Sequence, residues 1–363
     1  MKKLIVAFFA LICVVGCKEH PKTVCDADFE EAMGKDSNDW HHLVAHQGSY
    51  DRLLMLKNTY EELKPSKQPS SDTPRIPKII HQIWLGPKQP PSYYWDYKES
   101  WKKLHPDWEY RFWTDKEVQE LEFDLKDLYN RTPNWGEKSD ILRAELLDRF
   151  GGLYADTDFE CVTSFDDLHH KYDFYTGLEP PHEGDSSSSA PHITISDALI
   201  GTVPGHPILK KWKEKIRDHW DEYEKKYPDS NRRVLLRTFY PFGRSVISKM
   251  HDKNYKTIVF PATYFFPLTF SELSKGRLKK LSFFKRQARQ LAQTLRLSRP
   301  VPFAEVQPET MAIHYWGNSW VKSYEERFRD MHKQMFEMQR EFKEEIITLQ
   351  AEVDSLKGKL AHK

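Results

Sequence analysis

From residue 78 onward, short apolar runs alternate with longer amphipathic stretches along the chain. The apolar runs predict strands over 78–84, 108–114 and 153–156, with a helix near 92–104 and further helices up to about residue 150. Pro207 to Tyr227 has the spacing of an amphipathic helix, and Thr257 to Leu268 reads as a strand and turn. This alternation implies a mixed α/β sheet with helices on both faces. Residues 18–63 are polar with a helix around 50–63, and Lys64 to Pro77 is a Pro/Ser-rich linker, so the main domain is expected from about Arg75.

The helix before the third strand carries charge on its apolar side. At about 100° per residue, Ala144, Leu146, Leu147 and Phe150 share one arc and Glu145, Asp148 and Arg149 lie opposite, whereas Arg143 falls inside the arc and Asp140 at its edge. An unpartnered buried charge costs several kcal/mol, so Asp140 and Arg143 either satisfy each other or hold a ligand. Gly151-Gly152 ends the helix, where a residue of positive φ is needed. Leu153-Tyr154-Ala155 then leads to Asp156-Thr157-Asp158 at the carboxyl end of the strand, where open α/β sheets place ligands. In an extended segment Asp156 and Asp158 point the same way and offer oxygens to a hard divalent cation, Mn²⁺ or Mg²⁺. A second Asp-X-Asp, Asp26-Ala27-Asp28, has no strand before it and is assigned no function.

Ser139-Asp140-Ile141-Leu142-Arg143 followed by Gly151-Gly152-Leu153-Tyr154-Ala155-Asp156-Thr157-Asp158 resembles the DXD sugar transferases, glycosyltransferase family 32. That family includes initiating α-1,6-mannosyltransferases, inositol-phosphoceramide mannosyltransferases and capsular polysaccharide enzymes, and its core is similar to that of the clostridial glucosylating toxins. Segments 76–86, 105–115, 195–201 and 204–207 resemble further parts of the family, and the likeness covers roughly residues 75–320. Two positions depart from it. Asp197 stands where relatives usually have Asn, and 237–243 matches the family's Thr-Gly-Pro turn only loosely, which bears on the sugar and acceptor rather than on the chemistry.

The resemblance implies a GT-A type α/β fold, with a mixed nucleotide-sugar-binding sheet flanked by helices, to which the chain's own residue pattern adds a helical N-terminal extension and a C-terminal coiled-coil helix. It implies a metal-dependent, retaining transfer of a hexose, with a lean to mannose, from a GDP- or UDP-sugar to a glycan, lipid or protein hydroxyl. Asp158 is the expected first metal ligand, Asp156 supports the ion and contacts ribose or sugar hydroxyls, Asp140 holds donor hydroxyls, and Arg143 holds a phosphate or sugar oxygen. Asp197 lies where sugar or acceptor binds. Ala312 to Trp320 resembles a closing segment that supplies His314 as third metal ligand, with Trp316 and Trp320 either covering the leaving group or only packing. Trp84 either stacks on the nucleotide base or belongs to the core. Retention implies that the departing phosphate takes the acceptor's proton, so no general base is sought. A glycosidase is disfavoured, because its paired carboxylates stand about 5–9 Å apart across the sugar. The alternative from another class is a non-catalytic surface lipoprotein that keeps the fold as a carbohydrate-binding or assembly module.

At 363 residues with 39% hydrophobic content the chain is long enough for one large domain with appendages, and a net charge of +1 gives no field that attracts nucleic acid. Lys2-Lys3 precedes an apolar run from Leu4 to Val15, too short to span a bilayer, and Val14-Val15-Gly16-Cys17 resembles a bacterial lipobox. Residues 1–17 are therefore expected to anchor the protein at a membrane on the extracytoplasmic or lumenal side. A bacterial lipoprotein is favoured, and a Golgi-type anchor or an exported effector remains open, because activated sugars are normally absent outside the bacterial cytoplasm. Cys25 and Cys161 make no disulfide framework, and the chain has no Cys-X-X-Cys for zinc. Residues 182–192 have the composition of a mobile loop. Between Lys275 and Arg299 lie nine Lys or Arg and no Asp or Glu among apolar residues, which suits either an anionic membrane or a basic helix packed on the domain, here read as an insertion within 75–321. Met331, Met335, Met338, Phe342, Ile346, Leu349, Val353, Leu356 and Leu360 predict a coiled coil with one stutter over 322–363, hence self-association through 328–360.

Overall fold

In a computed structural model, residues 24–35, 37–181, 193–227, 231–269, 303 and 306–317 are described. The leader and lipobox (1–17), the loop 182–192, the basic segment 275–299, Trp320 and the coiled coil (322–363) lie outside the described residues.

The first predicted strand forms β1 (Ile79–Ile83), which pairs in parallel with β2 (Glu109–Trp113) on one side and β3 (Gly152–Ala155) on the other. β3 pairs antiparallel with β6 (Ile195–Thr202), β6 antiparallel with β5 (Phe174–Leu178), and β5 in parallel with β7 (Thr257–Phe260). The resulting sheet, ordered β2-β1-β3-β6-β5-β7, is mixed and flanked by helices, the GT-A type of architecture. A separate ribbon joins β4 (Phe159–Cys161) antiparallel to β8 (Ala312–His314).

The Trp135–Phe150 helix starts at an Asn134 cap, whose side chain accepts from Glu137 N–H, and packs on β1, β3 and the Pro207–Lys226 helix. Ile141, Leu142, Leu146 and Leu147 on it are fully buried, each stabilising the fold by about 1.5–3 kcal/mol. Glu145, placed by the helical projection on the solvent side, is buried. It accepts the Leu125 N–H at 2.8 Å and pairs with Lys213 at 3.1 Å, because the Pro207–Lys226 helix covers that face. Gly151 and Gly152 end the helix with φ of 62° and 97°. A Cβ at Gly152 would stand 2.6 Å from the Ile79 carbonyl oxygen, so the tight entry into β3 requires glycine on two counts. His81, buried beneath this turn, accepts from Trp113 Nε1 at Nδ1 (3.1 Å) and donates from Nε2 to the Gly151 carbonyl (3.0 Å), a neutral ring whose pKa burial pushes down to about 4.

The segment read as a linker is fastened to the domain. Ser71 N–H donates to the His170 carbonyl, Ile76 N–H to that of His169, and Arg75 grips Asp173 with two bonds of 2.8 Å. The helix expected around 50–63 runs from Gln47 to Leu63, and its Tyr60 hydroxyl meets that of Tyr264 at 2.9 Å in the core. Asp28 of the first Asp-X-Asp caps the short Phe29–Ala32 helix by accepting from Glu30 and Glu31 N–H, a structural role. Cys25 and Cys161 are free thiols. Among the described residues no helix is long and apolar enough to cross a membrane.

Candidate active site

Arg143 is the hub of the carboxylate cluster. Its Nη1 donates to the Asp197 carbonyl at 3.0 Å and lies 2.7 Å from Asp197 Oδ2, a charge contact rather than an aligned hydrogen bond. Its Nη2 reaches Asp156 Oδ1 at 3.1 Å and Asp140 Oδ1 at 3.2 Å, and its guanidinium lies over the Tyr154 ring, 4.4 Å from the centroid. The two charges that sequence places one turn apart do pair, within a group that also includes Asp156 and Asp197. Asp140 is fixed from the other side by Thr238, whose hydroxyl donates to Asp140 Oδ2 at 2.5 Å. Thr238 belongs to the 237–243 stretch, where a five-residue π-helical turn (Leu235–Phe239) carries it toward the Trp135–Phe150 helix.

The main chain of Asp156 is held between two strands. Its N–H donates to the Ala198 carbonyl of β6 (2.9 Å), and its carbonyl accepts from Gln82 Nε2 of β1 (3.1 Å). Tyr154, two residues earlier on the same face of β3, donates its hydroxyl to Asp156 Oδ1 at 2.6 Å. The period of two stops there. β3 ends at Ala155, and the chain turns, with Phe159 N–H donating to the Asp156 carbonyl at 3.2 Å. Asp156 and Asp158 therefore converge through a turn and not through an extended strand.

That turn leads into β4, whose Phe159 is paired in register with His314 of β8. His314 Nε2 consequently comes to 3.2 Å from Asp158 Oδ1, and one ligand atom each from Asp156, Asp158 and His314 lie within 4.8 Å of one another. Asp158 Oδ2 accepts the Gly317 N–H at 2.5 Å. His314 stacks on Phe159 at 4.5 Å, and Trp316, at φ 52°, covers it at 4.5 Å with its indole N–H donated to the Leu268 carbonyl. His314 Nδ1 is buried without a hydrogen-bond partner among the described residues.

The electrostatics are those of crowded negative charge. Burial pushes the Asp140 carboxyl up to about 6 against the pull of Arg143 and Thr238, and raises Asp197 well above the usual carboxylate range. Asp156 is also raised, by burial and then by Asp158, against Arg143. For Asp158, burial is outweighed by His314 and the Gly317 N–H, and its pKa is lowered. For His314, burial alone would lower the pKa, but Asp158 and Asp156 reverse the sign. A cation among these groups would relieve the repulsion, and two carboxylates with one imidazole suit Mn²⁺ better than Mg²⁺, which prefers oxygen alone.

Trp84 makes no hydrogen bond or ion pair with this cluster among the described residues. It follows the carboxyl end of β1, half-buried, with its indole N–H donated to the Lys88 carbonyl at 2.6 Å. Sequence reasoning missed Thr238, Gln82, the Tyr154 hydroxyl, and Glu179, which accepts from Ser196 Oγ at 2.9 Å and acts electrostatically on both Asp197 and His314. Tyr154 was within reach, standing two positions before Asp156. Thr238 is 98 positions from Asp140; the stretch 237–243 stands out only as a loose family match near sugar or acceptor, and nothing in it points to Asp140.

Residues 91–175 match the family described as the glycosyltransferase sugar-binding region containing DXD motif. Over 163 residues, 43% of this chain and 40% of that protein, the sequence is 34% identical to inositol phosphoceramide mannosyltransferase 3 of Schizosaccharomyces pombe. Over 190 residues, 46% of each protein, it is 24% identical to the initiation-specific alpha-1,6-mannosyltransferase of Candida albicans. The structure of PaToxG glycosyltransferase is similar over 69% of this chain and 89% of that one, with 18% identity and a TM-score of 0.36. The chain spans about two fifths of the length of the first curated relatives it matches. Asp140, Arg143, Asp156 and Asp158 all lie inside the matched region, so the part of the chain that carries the carboxylate cluster is the part similar to the DXD-motif sugar-binding region of these glycosyltransferases.

Proposed function

We propose that this protein is a metal-dependent, retaining glycosyltransferase that moves a hexose, foremost mannose from GDP-mannose, onto a hydroxyl of a glycan, glycolipid or protein. The observation that carries this reading is the convergence of Asp156, Asp158 and His314 ligand atoms within 4.8 Å, beside Arg143 and inside a glycosyltransferase sugar-binding region. Those three residues would hold Mn²⁺. When bound, the ion neutralises negative charge on a departing diphosphate without proton transfer.

The remaining roles fall to side chains of this chain. Arg143 and Tyr154 aim Asp156 by binding its Oδ1, and Asp197 holds Arg143 in place. Asp140, fixed by Arg143 and Thr238, offers its carboxylate to donor sugar hydroxyls. Trp84 presents an indole to the base, and Trp316 keeps the His314 ring oriented. Lipid as acceptor is supported by the names of the S. pombe relatives. Anchoring through residues 1–17 and self-association through 328–360 complete the proposal. One feature favours the non-catalytic carbohydrate-binding module instead: Nη1 and Nη2 of Arg143 are both taken up by neighbouring side chains and main chain, leaving Nε, itself buried, for any ligand.

The full chain, incubated with a panel of GDP- and UDP-hexoses and Mn²⁺, tests both. Release of nucleoside diphosphate from one donor, abolished by chelation and by Asp158→Ala with unchanged melting temperature, is the expected result. Mn²⁺ binding without turnover of any donor would favour the binding module.

A further inference from the structure

Tyr93 opens the Tyr93–Leu104 helix and is 41% exposed, yet its hydroxyl faces the rim of the carboxylate cluster. A Cβ at Gly317 would stand 3.1 Å from Asp158 Oδ2 and 3.4 Å from the Tyr93 hydroxyl oxygen, so the two oxygens flank a gap that glycine leaves open. Among the described residues this hydroxyl makes no hydrogen bond. Its ring is braced from behind: Tyr93 packs on Tyr97 at 5.5 Å, and Tyr97 lies flat on Tyr315 at 4.8 Å and 4°. Tyr315 in turn donates its hydroxyl to Glu160 Oε2 at 2.6 Å and directly follows His314. The ladder that holds Tyr93 is thus built on the same β4–β8 ribbon that carries Asp158 and His314. A phenol is protonated at neutral pH, so this hydroxyl is a proton donor.

We propose that Tyr93 is a substrate-contacting residue whose hydroxyl donates a hydrogen bond to an anionic oxygen of the nucleoside diphosphate held next to Asp158. The inference rests on the glycosyltransferase reading and extends it to a residue on a different helix. Diphosphate is the fitting ligand because a phenol bonds an anionic oxygen more strongly than a sugar hydroxyl. The gap also adjoins a carboxylate that would hold the ion, where the diphosphate must lie.

The test compares the full chain with Tyr93→Phe in two titrations, Mn²⁺ alone and then GDP or UDP at saturating Mn²⁺. Tyr93→Phe should bind Mn²⁺ as the parent does, melt at the same temperature, and bind the nucleoside diphosphate about tenfold more weakly. Diphosphate binding within twofold of the parent would overturn the assignment and leave the ring with a packing role only. A parent that binds neither Mn²⁺ nor diphosphate would overturn the underlying reading as well, so the two failures are distinguishable.

Discussion

Replacing Arg143 by Gln removes the guanidinium that pairs with Asp140, Asp156 and Asp197. At an effective dielectric near 20, unit charges about 3 Å apart attract by roughly 5 kcal/mol, and Arg143 makes such contacts at 2.7, 3.1 and 3.2 Å. Desolvation cancels much of that gain, and the net cost of leaving buried carboxylates unpaired is about 3–5 kcal/mol. The penalty should depend on pH with a definite sign. Burial already holds Asp140 up at about 6 and Asp197 well above the usual carboxylate range, so the folded state holds more protons than the unfolded one above the ordinary carboxylate value. Loss of Arg143 raises these carboxyls further, so ionisation costs more as pH rises through that window. Urea unfolding of parent and variant at about pH 7.5 and about pH 5 reads the difference, with the larger penalty expected at the higher pH. A penalty below about 1 kcal/mol, or one that grows on acidification, would refute the assignment of Arg143 as the counter-charge of this cluster.

Other consequences follow from single contacts. His81, at about 4 in the fold against 6.5 unfolded, contributes stability that is present above pH 6.5 and lost as pH falls toward 4, on the order of 3 kcal/mol. His81→Gln should be less stable at neutral pH with a flatter dependence between those values, and an unchanged slope in denaturant titrations would count against the neutral tautomer. Gly152→Ala combines a positive φ with a contact of 2.6 Å on the Ile79 carbonyl, so a loss of about 2 kcal/mol or more is expected in thermal unfolding. A variant as stable as the parent would show that the β3 entry relaxes freely. Thr238→Val deletes the donor to Asp140 while keeping the shape, and should raise the donor KM severalfold with little change in Mn²⁺ affinity; unaltered kinetics would remove Asp140 from donor binding.

The strand and helix order was legible because its cues are local. Ile79–Ile83, Glu109–Trp113 and Gly152–Ala155 form within a residue or two of their predicted limits, and Gly151-Gly152 marks a turn that no side chain tolerates. The same locality explains the failures. Periodicity could not show that a second helix covers Glu145, nor that Pro/Ser-rich residues 64–77 would find main-chain partners at His169 and His170. The meeting of Asp156 with Asp158 was anticipated from strand alternation, but a turn brings it about, and β4–β8 pairing then delivers His314 from 156 positions away. Thr238 and Tyr93 reach the site only through tertiary packing, which a single sequence does not encode in any spacing.

The central claim is that Asp156, Asp158 and His314 together ligate a divalent cation. Pulsed EPR of Mn²⁺ bound to the full chain in the presence of GDP tests it directly. Nitrogen modulation from a single histidine is predicted in the parent, absent in His314→Gln, with Mn²⁺ binding itself lost in Asp158→Ala. Mn²⁺ that binds with no nitrogen coupling, or that stays bound after Asp158→Ala, would contradict it.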